Sequence, residues 1–334
     1  MTLTDVVKNL LVASTFSFGL YLSGCTSGGE SSGCRTDFDC RGDRICHREG
    51  YCYDPRNPAH DAGLDRIPTT ELEGRIVFVN HLSPDGEIYV MNADGNNQIR
   101  LTNNSYVDRS PRWSPDGRKI AFTSDRNGNM EIYVMNADGG NVINLTNNPA
   151  RDEYPAWSPD GRKIVFSSVR ERGSGIYIMN IDGSNQVRLN EVHPGSIDVD
   201  PTWSPDGRKI LFASGLRESG AYDEIFLIDS TNGDNEINIS NNPDCSNQYP
   251  EWSPDGRKIA FRSCGEIYVM NADGTNQRKL TNSLTLSPEW SPDGQKIIFG
   301  DNNTFYKMDA DGGNITPLTG ISIGSGDPEP DWIL

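Results

Sequence analysis

The phrase WSPDGRKIAF, Trp113 to Phe122, returns almost letter for letter from Trp157, Trp203, Trp252 and Trp290. Ser-Pro-Asp-Gly dictates a turn: Pro presets φ, Asp can bond its own backbone, and Gly accepts the left-handed conformation that closes it. The flanks read as strands, with Ile and Phe two apart on one face. A second phrase, EIYVMNADG from Glu131 to Gly139, is an apolar alternation ended by an Asp-Gly turn, and it recurs from Glu87 and Glu266. Looser copies start at Gly175, Glu224 and Thr304. A short fourth strand follows, as in QIRLT from Gln98 or NVINLT from Asn141. The unit is four antiparallel strands, A to D.

The repeated tryptophans stand 44, 46, 49 and 38 residues apart, close to the period of a four-stranded propeller blade, about 40 to 45 residues. A sheet with two apolar faces cannot stand alone in water, so such blades stack radially and bury those faces against one another. The tryptophans and the Ile/Phe pairs are expected in that packing rather than as ligand stackers. The first unit, from Gly74, begins at strand B, and its Ser83 to Gly86 turn sits out of phase as a B–C hairpin. The last residues supply the missing strand A: DPEPDWIL from Asp327 matches DRSPRWSP from Asp108 and ends just past Trp332. The fold class is all-β, a six-bladed propeller over residues 74–334 closed by its C-terminal strand, which removes the edges an open sheet would expose.

The P-x-W-S-P-D-G-x-K-I-x-F and I-Y-x-M-N-A-D-G phrases resemble the repeats of TolB-type six-bladed propellers, over residues 74–334. That resemblance implies a protein partner, because TolB-type propellers use their channel-mouth face to bind partners such as Pal. It also implies a channel able to hold a metal. It does not fix one function, since related blades occur in peptidase and lyase families. TolB carries a mixed α/β domain before its propeller, and this chain has a different segment there.

That segment begins with NLLVASTFSFGLYLSGC, apolar and small up to Leu22-Ser23-Gly24-Cys25. Residues 1–24 are too short and too polar for a comfortable membrane span and read as a signal peptide. Leu-Ser-Gly-Cys resembles a bacterial lipobox, which implies lipidation of Cys25 and a flexible tether over residues 25–33. Acyl chains contribute about 0.8 kcal/mol per buried methylene, so several anchor durably. A plain secretory signal with a chance cysteine is the alternative. Thr26, rather than Asp, after the cysteine implies by the same resemblance the outer membrane, facing periplasm or surface.

Cys34, Cys40, Cys46 and Cys52 follow at even spacing. In an exported chain, four cysteines within residues 34–52 imply a small disulfide-rich module. Three pairings are open, and interlacing favours Cys34–Cys46 with Cys40–Cys52. Zinc, with His47 adjacent, is the alternative, against which the oxidising compartment and the spacing argue. Arg41-Gly42-Asp43 reads as a chance match to an adhesion tripeptide. Residues 53–73 mix Pro and charge without periodicity, as a linker does. Cys245 falls in the D–A connection entering blade 5 and Cys264 in the short B–C connection of that blade. They share a face, so a Cys245–Cys264 disulfide is expected.

The A–B and C–D turns, all on one face, hardly vary within the chain. The connections on the other face do: VRERGSG from Val169, NEVHPGSIDVD from Asn190, GLRESGAYD from Gly215 and NNPDCSNQY from Asn241. Varied loops on a rigid scaffold are where binding resides. Three residues before each strand-A proline stand Asp108, Asp152, Asp198, Asn247, Thr285 and Asp327. With strand A innermost, these are expected to ring the channel mouth as a binding site. The carboxylates of Asp108, Asp152, Asp198 and Asp327 would repel one another there unless a cation compensates, and an oxygen-rich set suits calcium. The competing expectation is that each Asp accepts hydrogen bonds within its own loop.

Catalysis finds little in the sequence. It offers no nucleophile elbow set between a strand and a helix, and of 4 histidines only His81 and His193 lie in the propeller. A Ser–His–Asp set drawn through His193 has only its face in its favour. With 30 basic against 47 acidic residues, a net charge of −17, a nucleic acid partner is disfavoured, because phosphate backbones need the opposite sign. The sequence points to a non-catalytic, lipid-anchored protein of the bacterial cell envelope that requires no cofactor. It would bind an envelope protein or peptide through its variable face and meet the membrane through its anchor only. The alternatives are a propeller enzyme acting on glycan or peptide, lyase- or peptidase-like, and a purely structural envelope component.

Overall fold

The computed structural model describes residues 45–46, 52–53, 74–171, 173–215, 222–301, 303–318 and 320–334. The expected signal peptide, the tether, the lipidated Cys25, the pairings of Cys34 and Cys40, and all but residue 53 of the expected linker lie outside the described residues. Two short strands, β1 (Ile45–Cys46) and β2 (Cys52–Tyr53), pair antiparallel, with Cys46 opposite Cys52 in backbone register.

From Gly74 onward the chain builds six four-stranded sheets, each in the spatial order A-B-C-D. Blade 1 takes strands B to D from β3 (Arg75–Asn80), β4 (Glu87–Asn92) and β5 (Ile99–Arg100). Blade 2 is β6 (Asp108–Trp113), β7 (Lys119–Ser124), β8 (Glu131–Asn136) and β9 (Ile143–Asn144). Blade 3 is β10 (Asp152–Trp157), β11 (Lys163–Glu171), β12 (Gly173–Asn180) and β13 (Val187–Arg188). Blade 4 is β14 (Ile197–Trp203), β15 (Lys209–Gly215), β16 (Glu224–Asp229) and β17 (Ile237–Asn238). Blade 5 is β18 (Asn247–Trp252), β19 (Lys258–Ser263), β20 (Glu266–Asn271) and β21 (Arg278–Lys279). Blade 6 is β22 (Pro288–Trp290), β23 (Lys296–Gly300), β24 (Phe305–Asp309) and β25 (Thr316–Pro317). Strand A of blade 1 is β26 (Asp331–Ile333), which pairs with β3 through Asp331–Val77, Trp332–Ile76 and Ile333–Arg75. The ring closes through the C-terminus, as the sequence match of Asp327 onward to Asp108 requires.

The period-2 alternation fills the space between blades. Phe78, Phe122, Phe166, Phe212 and Phe261 are fully buried at one strand-B position. Each meets the aromatic ring opposite it on strand C at 5.8 Å, a separation at which aromatic pairs attract. The tryptophans join neighbouring blades. Trp157 Nε1 donates to the Arg112 carbonyl (3.1 Å), Trp203 Nε1 to Ala156 (3.3 Å) and Trp290 Nε1 to Glu251 (3.3 Å). These three tie their inner strands to the one before, and Trp113 and Trp252 pack against the preceding blade without such a bond.

The turns follow their chemistry. In the first A–B turn Ser114 Oγ donates to Asp116 (2.6 Å), Asp116 accepts the Arg118 N–H (3.1 Å), and Gly117 adopts φ 67°. The glutamate that opens strand C is buried and braces the D–A connection. Glu87 accepts from Thr102 Oγ1 (2.6 Å), the Asn104 N–H (3.0 Å) and Arg100 (2.6 Å). Cys245 and Cys264 form the expected disulfide, Cα atoms 5.1 Å apart, pinning the connection that enters blade 5 to the B–C turn of that blade.

Candidate functional site

Strand A of blades 2 to 5 carries one residue more than the strand it pairs with. Arg109 faces Thr123 but Arg112 faces Ala121. The same shift falls between Glu153 and Ala156, Val199 and Thr202, and Gln248 and Glu251. Within each bulge one residue is left-handed, with φ 49° at Ser110, 56° at Tyr154, 52° at Asp200 and 52° at Tyr249. Such backbone costs of order 1–3 kcal/mol per residue, and bulges of this kind re-aim side chains. Here they aim them at the propeller axis. Ser110, Tyr154, Asp200 and Tyr249 line an axial cavity of about 20 Å³ together with Ser287 and Glu329, the equivalent residues of blades 6 and 1. That volume admits roughly one water molecule.

Two residues further along each strand A, toward the turn face, stand Arg112, Ala156, Thr202, Glu251, Glu289 and Asp331. The Arg112 guanidinium lies 4.0 Å from Glu251, 3.8 Å from Glu289 and 4.0 Å from Asp331, and donates to the Pro330 carbonyl at 2.9 Å. One cation faces three carboxylates. Burial raises the Glu251 carboxyl to about 7, with Arg112 opposing and Asp331 reinforcing. Burial and the Glu251 charge hold Glu289 well above the usual range, and burial raises Asp331 against the pull of Arg112. In the layer nearer the loops, burial and then the Glu329 and Asp327 charges push Asp200 to about 8. Burial and Asp327 push Glu329 to about 7. The axis is an acidic well in which Asp200, Glu251 and Glu329 ionise around neutrality rather than below it.

The residues expected at the channel mouth do not line this cavity. Counting alternation across the bulge explains the difference. One extra residue puts Asp108, opposite Ser124, on the same sheet face as Trp113, opposite Ile120. That face packs against the preceding blade. Asp108, Asp152, Asp198 and Asn247 are fully buried there, and Thr285 is 2 % exposed. Asp108 pairs with Arg126 at 3.1 Å and Asp152 with Arg170 at 2.7 Å. Each arginine stacks on two rings of its own blade, Phe122 and Tyr133 or Phe166 and Tyr177. Asp198 accepts from Asn190 Nδ2 (2.7 Å) and Ser214 Oγ (2.5 Å). Asn247 Nδ2 donates to the Cys245 carbonyl (2.9 Å), and Thr285 Oγ1 to the Gly265 carbonyl (3.2 Å). Asp327 alone reaches the axial group: it accepts from Ser287 Oγ, and its charge bears on Asp200 and Glu329. So the four carboxylates offered for calcium do not converge, and among the described residues no group of three or more His, Cys, Asp or Glu side chains is placed to hold a metal ion.

The axial residues were missed although the sequence marks them: they flank each strand-A proline, one before and one after. The arginine partners had a signal too, since Asp108 to Arg126 and Asp152 to Arg170 are the same step, 18 residues.

The two propeller faces differ in what they expose. On the loop face Leu82, Tyr106, Val169, Val192, Ile197, Tyr222 and Leu284 are exposed, up to 71 % for Leu284. On the turn side the exposed large apolar residues among those described are Val142, Ile181, Ile315 and the terminal Leu334, and Ile99, Ile143, Val187 and Ile237 are exposed on the outer strands D. Both propeller histidines also lie on the loop side. His81 Nε2 bonds the Asp327 carbonyl at 2.7 Å, and His193 Nε2 stands 3.4 Å from Glu236.

With this geometry, the chain matches the family described as TolB beta propeller domain over residues 68–154 and 144–265, more than half its length. The Tol-Pal system protein TolB of Desulfosudis oleivorans is 44 % identical over 57 residues, 17 % of this chain and 13 % of that protein. The Tol-Pal system protein TolB of Geobacter sulfurreducens is 45 % identical over 47 residues, 14 % of this chain and 11 % of that protein. These matches span a small part of either relative. Among solved structures, TolB from Acinetobacter baumannii superposes with a TM-score of 0.65 at 24 % identity, covering 78 % of this chain and 66 % of that one. An oligogalacturonate lyase in complex with manganese gives 0.52 at 15 % identity over 74 % of each chain. At such identities the structures show the fold alone.

Proposed function

The chain belongs to the TolB β-propeller domain family, and from that premise we propose that it is a non-catalytic protein of the bacterial cell envelope whose loop face binds a protein or peptide partner. The observation that carries the reading is the exposure of apolar side chains on the varied loop face, with Leu284 at 71 %, Leu82 at 67 % and Tyr106 at 44 %, where the C–D turns opposite expose theirs to at most 47 %. Exposed apolar surface rimmed by polar residues marks interaction sites. The well beside it favours a basic or hydrogen-bond-donating group on the partner. Anchoring through a lipidated Cys25, at the outer membrane, is part of the proposal. The relatives named for the Tol-Pal system support an envelope partner of protein kind.

The test is site-specific photocrosslinking in the native envelope, with the probe at Tyr106, Leu284 or Ile181. A discrete adduct from the two loop-face positions and none from Ile181 is the expected result. Adducts of equal yield from both faces, or none from Tyr106 and Leu284, would overturn the reading. The anchor has its own check, since Cys25→Ala should abolish labelling by a fatty-acid precursor without changing the propeller.

A further inference from the structure

The C-terminal segment closes the ring through only three ladder positions, so its hold depends on what surrounds them. Against blade 1 the Pro328 carbonyl accepts the Val79 N–H (2.8 Å) and the Ile323 carbonyl the His81 N–H (2.7 Å). Against blade 2 the contacts are carboxylate clips. Glu329 Oε2 accepts the Ser110 N–H and Asp331 Oδ2 the Trp113 N–H, each at 2.5 Å, while Arg112 donates to the carbonyl between them.

Every inner strand presents a titratable or charged group to this segment. Blade 2 brings Arg109 and Arg112, blade 3 Tyr154, blade 4 Asp200, blade 5 Tyr249 and Glu251, and blade 6 Glu289. The segment's own Asp327 and the His81 ring complete the set. Carboxylates outnumber the two arginines, so the clips work against their neighbours whenever they are charged. A protonated carboxyl still offers its carbonyl oxygen to an N–H donor. Ionisation strengthens each clip bond, but burial and the neighbouring carboxylates outweigh that gain and favour the protonated form.

We propose that the closing segment is a proton-controlled latch: Glu329 and Asp331 hold it to strand A of blade 2 when protonated, and their ionisation among the axial carboxylates loosens it. The direction follows from linkage. Burial and Asp327 put Glu329 at about 7 in the closed ring, against an ordinary value of 4.5, and burial raises Asp331 as well. The closed state binds the proton more tightly, so closure is most favoured below about pH 4.5 and weakens as pH rises from there through 7. For a group shifted this far, the opening constant should rise on the order of thirtyfold between about pH 5.5 and 8.5.

Hydrogen exchange on the intact chain tests this, with rates divided by the intrinsic rate at each pH. The opening constant of the peptide covering Trp332 and Ile333 should rise about thirtyfold over that range, while strand B of blade 4 stays flat. Glu329→Gln with Asp331→Asn keeps both acceptor oxygens and should flatten the profile. Glu329→Gln alone should reduce the slope, which keeps the test intact if the double variant does not fold. A flat wild-type profile, or neutral variants that retain the wild-type slope, would overturn the latch.

Discussion

The turn face and the loop face are cut from the same repeats, yet only one of them repeats. On the turn face each hairpin is fitted against the blade before it. A Cβ on Gly233 would fall 1.9 Å from the Leu189 carbonyl oxygen, one on Gly183 2.4 Å from that of Leu145, and one on Gly274 2.3 Å from that of Ile239. All three glycines are left-handed, at φ 75°, 81° and 83°. Sequence there has no room to drift. The connections of the loop face carry their own supports instead, an Asp–Arg pair in blades 2 and 3 and a disulfide in blade 5. The comparison teaches that repetition in this chain marks packing between blades, and variation marks surface released from it.

Several changes should separate the two kinds of region. Deletion from Asp327 onward should have the largest effect, because it removes strand A of blade 1, the Trp332 contact with the cluster around Phe78, and a partner of Arg112. A loss of several kcal/mol, comparable to large core truncations, should appear as a broadened urea transition at much lower midpoint. Unchanged cooperative melting would mean that the ring closes otherwise. Arg170→Met comes next. It leaves Asp152 buried without its counter-charge, at a cost of about 3–5 kcal/mol, and Asp152→Asn in the same chain should restore most of the loss. Gly233→Ala should cost on the order of 2 kcal/mol through its left-handed backbone and the carbonyl in its path, whereas Gly195→Ala in a loop has open space and should lose only the backbone part of that.

How far the sequence reaches can be judged from the same residues. The blade count, the closing strand and the Cys245–Cys264 bond were legible, because a repeated phrase with a turn and two apolar faces has one way to bury them. The axial well was not. Locating it requires the bulge at Ser110, and a single extra residue in strand A reverses which side of the strand Asp108 occupies. Alternation read through an unseen bulge gives the wrong face. The Asp–Arg step of 18 residues could have warned that Asp108 and Asp152 were already neutralised.

Smaller effects sharpen the picture of the axis. Asp200, held at about 8 by burial and its acidic neighbours, binds its proton more tightly folded than unfolded, so its contribution is present at low pH and lost as pH rises through 8. Asp200→Asn should therefore raise the melting temperature most at pH 9, less at pH 5 and hardly at all near pH 3. Leu284→Ser should sit at the bottom of the scale for stability, within about 0.5 kcal/mol, while weakening the partner binding proposed for the loop face. A loss of stability as large as that of Gly233→Ala would show that Leu284 belongs to the packing and not to the free surface.

The division of labour between the faces is tested most directly by hydroxyl-radical footprinting of the chain in its native envelope against the same chain purified. Leu82, Tyr106 and Leu284 should be protected in the envelope and become reactive on purification, with Ile181 reacting equally in both. Equal reactivity of the loop-face residues in the two states, or protection confined to Ile181, would contradict the account.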